Sequence, residues 1–243
     1  MENKSCLISK LKIALVILNL YCVYASKDGV TFSTDRHALE AIRAQITVDH
    51  SGLLSKTWTA NTSICTWTGV SCGFQVQTQR VIGLDLSDMG LVGRISPDIG
   101  SLSFLTSLDL SNNSFHGSIP EEIGNLSSLQ DLMLNNNELT GPVPRTLFNQ
   151  SSIRLIELSF NSLSGTLPDN VCDQFFKLRL SVIAITGNKL TGLIPSSIYK
   201  CQQLQYLNMA TNKFNSSIPR EIGNLTLLKQ LFLSENDLHG MIF

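Results

Sequence analysis

Apolar residues recur along most of the chain at fixed offsets, with a period of about 24 residues. The pattern apolar-x-apolar-x-x-Asn-x-apolar is clearest in the segments that begin at Leu108, Leu132 and Ile156, and it returns in residues 183–190, 207–214 and 231–238. A fixed period between about 20 and 50 residues is typical of proteins built from stacked structural repeats. The chain is therefore predicted to form a solenoid rather than a globule with a single central core.

One asparagine marks the same position in each of six repeats: Asn113, Asn137, Asn161, Asn188, Asn212 and Asn236. Their spacing follows the period except between Asn161 and Asn188, where it is three residues longer, which predicts a three-residue insertion near residues 174–177. An earlier repeat begins at Val81 and carries Met89 at the asparagine position. Residues 81–243 thus hold about seven repeats, the last of them incomplete.

The alternation within each repeat predicts a short strand whose apolar side chains point inward. We expect each asparagine to turn inward and to hydrogen-bond the backbone of the next coil. A single coil buries too little apolar surface, so stacking must supply the rest. The predicted fold is an α/β solenoid, a curved right-handed superhelix with a parallel sheet along its concave face.

The second half of each repeat carries the phrase Leu-Ser-Gly-x-Ile-Pro or a variant of it, as in residues 163–168 and 190–195. This phrase resembles the plant-specific leucine-rich repeats of receptor-like kinases, receptor-like proteins and polygalacturonase-inhibiting proteins. Trp58 and the Cys-x-Trp-x-Gly-Val-x-Cys phrase of residues 65–72 are similar to the N-terminal cap of the same families. The resemblance implies a helical cap over residues 26–80 and repeats over residues 81–243.

Residues 1–25 have the features of a secretory signal peptide. Three lysines precede an apolar run from about Ile13 to Val23, which is shorter than a membrane span, and Val23 and Ala25 suit a cleavage site after Ala25. Four cysteines remain after cleavage, an even number in an oxidising compartment. We therefore expect a secreted, extracellular chain with no membrane contact of its own.

Residues 80–86, 124–126 and 220–225 are most similar to receptor-like kinases of the pattern-recognition type. The resemblance implies the N-terminal part of an ectodomain that binds a peptide, glycan or protein ligand, with a leucine-rich-repeat kinase as co-receptor, in signalling or defence. No terminal cap, membrane span or kinase domain is present before Phe243. A fragment, a truncated gene product and a cap supplied from elsewhere all remain open, as does a secreted inhibitor of microbial cell-wall-degrading enzymes.

Secretion of the chain would allow its cysteines to form disulfides and its Asn-x-Ser/Thr motifs to carry glycans. Cys65 and Cys72 enclose only six residues and are predicted to form a structural disulfide. The separation of Cys172 and Cys201 is close to one repeat plus the insertion, and they either pair across adjacent coils or remain free. Asn-x-Ser/Thr motifs, the acceptors of N-linked glycans, occur at Asn61, Asn112, Asn125, Asn149, Asn215 and Asn224.

Ligand contacts are expected on the strand face, where the residues between and beside the inward leucines point outward and align into columns. One column comprises Asp85, Asp109, Met133, Glu157, Ala184, Asn208 and Phe232. Exposed apolar side chains on such a face are the anchors that interfaces favour. The candidate ligand-binding residues are Met133, Leu155, Glu157, Phe160, Tyr206 and Phe232.

Composition and motifs argue against other classes of function. The formal net charge of −1 does not suit a nucleic-acid partner. We find no paired nucleophile and base, no glycine loop that would cradle a phosphate and no spacing of metal ligands. The sequence therefore predicts no catalytic residues, metal or cofactor in this chain.

Overall fold

The described part of the cap contains helices and short strands. In the computed structural model, which describes residues 33–75, 78–169, 171–172 and 179–240, residues 33–44 form helix α1. Strand β1 (Ile46–Asp49), helix α2 (Leu53–Thr57) and a 3-10 turn (Ile64–Thr66) follow. The predicted signal peptide and the insertion near residues 174–177 lie outside the described residues.

An antiparallel hairpin of β2 (Val70–Gln75) and β3 (Thr78–Asp85) joins the cap to the first coil. The expected domain boundary after residue 80 falls inside β3, because this strand completes the cap hairpin and also begins the repeat sheet. Gly69 precedes the hairpin with φ +79°, and a Cβ there would lie 2.1 Å from the carbonyl oxygen of Asp85. Only glycine fits this turn of the Cys-x-Trp-x-Gly-Val-x-Cys phrase.

The interior of the cap is built around two tryptophans. Trp58 and Trp67 are buried and stack with their ring centroids 5.0 Å apart. The Cys65–Cys72 disulfide lies beside them and ties the 3-10 turn to β2. These contacts give the cap a core of its own, continuous with the core of the first coil.

A buried ion pair fastens α1 to β3. The Asp35 carboxylate accepts hydrogen bonds from Nε and Nη2 of Arg80, at 2.9 and 2.6 Å, and from the backbone N–H of Val81 at 3.0 Å. Both side chains are almost inaccessible to solvent. Because a buried carboxylate is costly unless it is paired and hydrogen-bonded, these three bonds fix the position of the helix on the sheet.

The repeats contribute one strand each to the concave sheet. This eight-stranded sheet begins with the hairpin β2–β3, and every later pair is parallel and in register. The repeat strands are β5 (Ser107–Asp109), β7 (Asp131–Met133), β9 (Leu155–Glu157), β11 (Val182–Ala184), β13 (Tyr206–Asn208) and β15 (Gln230–Phe232). The central residue of every internal strand is buried, as the alternation predicts.

A second sheet of seven strands lies on another side of the solenoid, and the sequence analysis did not anticipate it. Its parallel strands are β4 (Leu91–Gly93), β6 (Ser114–Ser118), β8 (Glu138–Gly141), β10 (Ser162–Thr166), β12 (Lys189–Gly192) and β14 (Lys213–Phe214), and β1 pairs antiparallel at its edge. The strands are very short and several contain a glycine with positive φ, so no run of alternating residues is long enough to signal them.

In five of the coils that the structure describes, the outer side is a single 3-10 turn. They span Pro97–Ser101, Glu121–Asn125, Arg145–Asn149, Ser196–Lys200 and Arg220–Asn224. In the last four, the proline of the Ile-Pro or Val-Pro step occupies the N-cap, with φ near −60°. Each turn buries apolar side chains, such as that of Ile123, and returns the chain to the next strand.

The asparagine side chains link successive coils, in the opposite direction from that expected. Nδ2 of Asn137 donates to the carbonyl of Leu110 at 2.9 Å, and its Oδ1 accepts from the N–H of Phe115 at 2.9 Å. Both groups belong to the preceding coil, so the prediction of bonds to the next coil was wrong. In the coil of Leu110, the N–H of Leu110 already donates to the carbonyl of Met133. The carbonyl of Leu110 and the N–H of Phe115 are the groups that the Asn137 side chain satisfies.

The row of inward asparagines, which we call the asparagine ladder, continues unchanged past the irregular repeat. Asn188 bonds the carbonyl of Leu158 and the N–H of Leu163, the same groups as in regular coils despite the three extra residues. Cys172 and Cys201 form a disulfide with their Cα atoms 5.3 Å apart, which joins the coil holding the insertion to the next one. The concave sheet keeps its register on either side of this repeat.

Candidate functional site

The concave sheet arranges its outward side chains in two columns that follow the strand register. The first column runs Ser107, Asp131, Leu155, Val182, Tyr206 and Gln230, and the second runs Asp85, Asp109, Met133, Glu157, Ala184, Asn208 and Phe232. Neighbouring strands in a sheet are about 4.8 Å apart, so residues in successive coils form one continuous surface. The composition of each column can change from coil to coil without disturbing the leucines behind it.

Four side chains form an apolar patch on strands β9, β11, β13 and β15 of the concave sheet: Leu155, Val182, Tyr206 and Phe232. Leu155, Val182 and Tyr206 are consecutive in the first column, and Phe232 lies diagonally from Tyr206. The two rings are tilted, with centroids 5.6 Å apart. Nδ2 of Asn208 donates to the Tyr206 hydroxyl at 3.2 Å. This patch combines an aliphatic surface with an oriented aromatic pair.

Several outward residues are less exposed than the sequence analysis expected. Met133, Leu155 and Tyr206 are half-buried, and Ala184 is buried at 2% exposure. Each lies between the side chains of two neighbouring strands, and the short Ala184 side chain is flanked by the longer side chains of Glu157 and Asn208. The expectation of exposed anchors therefore holds for Phe160 and Phe232, whereas Met133, Leu155 and Tyr206 are partly covered.

The exposure of Phe232 has a different origin. Among the described residues, its strand β15 pairs with β13 alone. The inward residue next to it, Leu231, is 39% exposed, whereas Leu207 in the preceding coil is fully buried. Part of the 42% exposure of Phe232 therefore reflects the open side of this strand.

Phe160 lies on the rim of the sheet, at the turn that follows β9. It is 59% exposed and has φ +54°, a conformation that costs energy for a residue with an aromatic side chain. A Cβ at Gly187 would lie 2.7 Å from Cδ1 of the Phe160 ring. Glycine at that position in the next coil therefore makes room for the ring.

Arg154 and Asp131 form an ion pair beside the apolar patch that the sequence analysis missed. The guanidinium donates through Nε and Nη2 to Asp131, with the shortest contact 2.8 Å. The hydrogen bonds and the negative charge of Asp131 raise the pKa of Arg154. The two residues lie almost one repeat apart in the sequence, so comparing outward positions of adjacent coils would have found them.

Strands β3 and β5, and the turn after β3, carry acidic outward side chains in place of apolar ones. We call Asp85, Asp88 and Asp109 the acidic patch. Oδ1 of Asp85 accepts from the N–H and hydroxyl of Ser87 at 3.0 and 2.6 Å, and Asp109 is held in the same way by Ser111. Among the described residues, none of the three carboxylates has a basic partner. Glu157 accepts one bond from the N–H of Ser159 and is half-buried.

The asparagines of the glycosylation motifs lie away from the apolar patch. Asn61, Asn125, Asn215 and Asn224 are exposed, and Asn125 and Asn224 occupy the last position of equivalent 3-10 turns. Asn149 ends another such turn. Asn112 is exposed on the concave rim, where its Oδ1 accepts a hydrogen bond from Asn136 at 2.7 Å.

Other features offer no competing site in the described part of the chain. The residues described include no group of three or more His, Cys, Asp or Glu side chains placed to hold a metal ion. Within the same residues, no helix has the length and apolar character needed to cross a membrane. Two open hollows, of about 550 Å³ beside Arg94 and about 420 Å³ beside Leu193, are lined mainly by the Gly-x-Ile-Pro parts of successive coils, the segments that build the solenoid itself.

Three family models match the chain. The leucine-rich-repeat N-terminal domain matches residues 32–73, and leucine-rich-repeat models match residues 104–126, 128–150 and 179–238. The chain is 35% identical over 101 residues to a putative receptor-like protein kinase of Arabidopsis thaliana, and the match covers 42% of this chain and 10% of that protein. The chain spans about a tenth of the length of the curated relatives it matches.

Solved structures of plant receptor-kinase ectodomains are also similar to this chain. The complex of PEPR1 with AtPEP1 matches with a TM-score of 0.78 and 32% identity, over 84% of this chain and 28% of that one. The Arabidopsis receptor kinase HAESA, in complex with the peptide hormone IDA and the co-receptor SERK1, matches with a TM-score of 0.73 and 34% identity, over 83% and 33% of the two chains. Cap, repeats and structural neighbours agree: the chain belongs to the leucine-rich-repeat family, as an extracellular module of the kind found in the ectodomains of plant leucine-rich-repeat receptor kinases.

Proposed function

We propose that this chain is an extracellular recognition module that binds a peptide ligand along its concave sheet. The observation that carries the proposal is the apolar patch, with the Arg154–Asp131 pair at its border. Most outward positions of the sheet are polar, and one continuous aromatic and aliphatic surface in such a setting is what protein interfaces use as an anchor. Met133, Glu157 and Phe160 flank the patch and complete the proposed contact surface.

The similar structures support a peptide and a co-receptor as partners. PEPR1 and HAESA are both seen with peptides, and HAESA also with SERK1. An extended peptide suits a parallel sheet, because it can cross the outward columns and place alternate side chains in contact with successive coils. We infer a peptide ligand and a leucine-rich-repeat kinase as co-receptor for this chain.

The setting of the proposed function is the apoplast, or the plasma membrane if the module forms part of a longer receptor kinase. In that arrangement the leucine-rich-repeat module is non-catalytic and recognises the ligand. A kinase domain elsewhere in the longer protein responds to this binding. The alternative of a secreted inhibitor of microbial enzymes is no better supported by the similar proteins.

We further propose N-linked glycans on the motif asparagines. Asn61, Asn125, Asn149, Asn215 and Asn224 belong to the cap or to segments outside the concave strands. Glycans there would leave the apolar patch uncovered. Asn112 is the exception, because a glycan on its Nδ2 would stand at the rim of the acidic patch. Mass spectrometry of the chain secreted from plant cells, before and after enzymatic deglycosylation, measures the occupancy of each motif.

A peptide-display selection tests the proposed function. The full chain, purified from plant cell medium, is used to select random peptides of about 12 residues, which at about 3.3 Å per residue are long enough to cross the sheet. We expect enriched peptides whose affinity falls about tenfold for Leu155→Ser, since one buried aliphatic contact is lost. Val48→Ser is the matched control, because Val48 is exposed on β1, outside the concave sheet.

Two results would count against the proposal. Either no peptide family is enriched on the wild-type chain, or the enriched peptides bind Leu155→Ser as tightly as Val48→Ser.

A further inference from the structure

One turn recurs beside the second column of the concave sheet. In four coils a side-chain oxygen of this column accepts a hydrogen bond from the backbone N–H two residues later. The four pairs are Asp85 with Ser87, Asp109 with Ser111, Glu157 with Ser159 and Asn208 with Ala210, at 2.9–3.1 Å. Three of these side chains are carboxylates, whose second oxygen is also an acceptor. Asn208 alone in this set carries an amide nitrogen, which is a donor, in place of that oxygen.

The turn fixes the orientation of the Asn208 amide. A backbone N–H can only donate, so the atom that faces the N–H of Ala210 is Oδ1. Nδ2 therefore faces the Tyr206 hydroxyl, to which it donates at 3.2 Å. An amide nitrogen does not accept hydrogen bonds. The hydroxyl oxygen of Tyr206 must accept this bond, and its own proton has to point away from Asn208.

The Tyr206 side chain is also held in place by its neighbours. Its ring packs against that of Phe232, and it lies between Val182 and Gln230 in the first column. The side chain is half-buried within the apolar patch. Among the hydrogen bonds of the residues that the structure describes, none has the Tyr206 hydroxyl as its donor. The patch thus presents one oriented donor, whose acceptor must come from solvent or from a ligand.

A ligand that covers the apolar patch displaces the water that can bond this hydroxyl. A donor that loses its water without gaining an acceptor costs free energy. An acceptor oxygen on the ligand restores the bond, and its direction is already set, because two hydrogen bonds in series connect Ala210 through Asn208 to Tyr206. The geometry therefore favours a ligand that brings an acceptor to this point of the patch.

We propose that the Tyr206 hydroxyl donates a hydrogen bond to an acceptor oxygen of the ligand, and that Asn208 is the positioning residue that sets this polarity. The inference rests on the proposed peptide-binding function and specifies the ligand chemistry at the apolar patch, which is an apolar group with a carbonyl or carboxylate oxygen beside it. In a peptide this oxygen belongs either to the main chain or to a side chain.

The peptides enriched on the wild-type chain in the selection described above are the probes. Tyr206→Phe removes the hydroxyl and keeps the ring, so we expect their affinity to fall about three- to tenfold, as for the loss of one hydrogen bond. Tyr199→Phe is the matched control, because Tyr199 lies on an outer 3-10 turn. It should leave the affinity unchanged.

Asn208→Asp tests the positioning role. The new side chain can still accept from the N–H of Ala210, as Asp109 does from Ser111, but its second oxygen accepts the hydrogen bond of the Tyr206 hydroxyl in place of the ligand. We expect a loss of affinity at least as large as that of Tyr206→Phe. In the Tyr206→Phe background, Asn208→Asp should change the affinity by less than about twofold, because the group through which it acts is absent.

Alanine substitutions in the enriched peptides identify the source of the oxygen. If the effect of Tyr206→Phe disappears when one Asp, Glu, Asn or Gln of the peptide is replaced, that side chain carries the acceptor. If the effect persists after each replacement, the acceptor is a main-chain carbonyl. Both results support the inference.

Two outcomes overturn the inference while peptide binding to the patch stands. Peptides that lose affinity in Leu155→Ser but bind Tyr206→Phe as tightly as Tyr199→Phe show that the hydroxyl is not a contact. Equal losses for Asn208→Asp with and without the Tyr206 hydroxyl show a structural or electrostatic effect that does not act through it. A selection in which no peptide is enriched on the wild-type chain overturns the proposed function as well.

Discussion

The inward and the outward side chains of the concave strands differ in composition and in burial. In β7, Leu132 points inward and is fully buried, while its neighbours Asp131 and Met133 point outward and are half-buried. Leucine or isoleucine occupies the inward position of every repeat strand, whereas the outward positions hold acidic, polar, aliphatic and aromatic residues. The inward row determines the stability of the solenoid, and the outward row is free to determine what it binds.

Truncation of adjacent residues in β7 tests this division and has the largest expected effect. Leu132→Ala should reduce the free energy of unfolding by about 2–5 kcal/mol, because it leaves a cavity between coils. Met133→Ala should reduce it by less than about 1 kcal/mol, as for most surface substitutions. Chemical denaturation monitored by circular dichroism measures both. Similar losses in the two variants would remove the distinction between the rows.

The asparagine ladder is the polar counterpart of the inward row. Asn137→Ala leaves the N–H of Phe115 without its side-chain acceptor and the carbonyl of Leu110 with Asn113 as its one side-chain donor, and should cost about 1–3 kcal/mol. Asn135→Ala, two residues earlier on the outward side, is the control and should change stability by less than about 0.5 kcal/mol. Hydrogen exchange of the Phe115 amide gives a local readout. Unchanged protection of that amide in Asn137→Ala would contradict the assigned role.

Gly187 and Phe160 lie in adjacent coils at the rim of the concave sheet, where the Phe160 ring packs close to the glycine. Gly187→Ala should cost about 1–2 kcal/mol, because alanine is strained at φ +66° and its methyl group would meet the Phe160 ring. In the background of Phe160→Ala the steric part disappears and the backbone part remains, so the cost of Gly187→Ala should be smaller. Equal costs in the two backgrounds would show that the ring does not depend on this glycine.

The smallest expected effect concerns Asp49, the last residue of β1. Burial alone would raise the pKa of its carboxyl, but hydrogen bonds from the backbone of Ser55, the Ser51 hydroxyl and the backbone of Leu54 and Gly52 lower it below 3.8 overall. A lowered pKa means that this contribution to stability is present above about pH 4 and is lost as the pH falls through the folded value.

An NMR titration of the Asp49 carboxyl carbon measures that pKa directly. Thermal unfolding of Asp49→Asn should differ from that of the wild type near neutral pH and converge with it in acid. A titration midpoint above 3.8 would show that the hydrogen bonds do not outweigh burial.

The sequence alone was sufficient for the repeat, its period and the inward residues, because the constraint is local and recurs in every coil. The three extra residues before Asn188 were also visible as a change in spacing. The disulfide between Cys172 and Cys201 was left open, since bonding depends on the distance between two coils. The second sheet was missed, because strands such as Lys213–Phe214 are too short to produce a periodic signal.

The outward surface shows where sequence reasoning stops. Candidate anchors such as Tyr206 could be chosen from the pattern, but not their degree of burial, which depends on the side chains of two neighbouring strands. The salt bridge between Arg154 and Asp131 and the packing of Phe160 over Gly187 join residues of different coils, far apart in the sequence. The sequence by itself determined which side of each strand faces the core, because side-chain direction alternates along the backbone. Only the tertiary structure decided which outward residues touch, because register across coils brings them together.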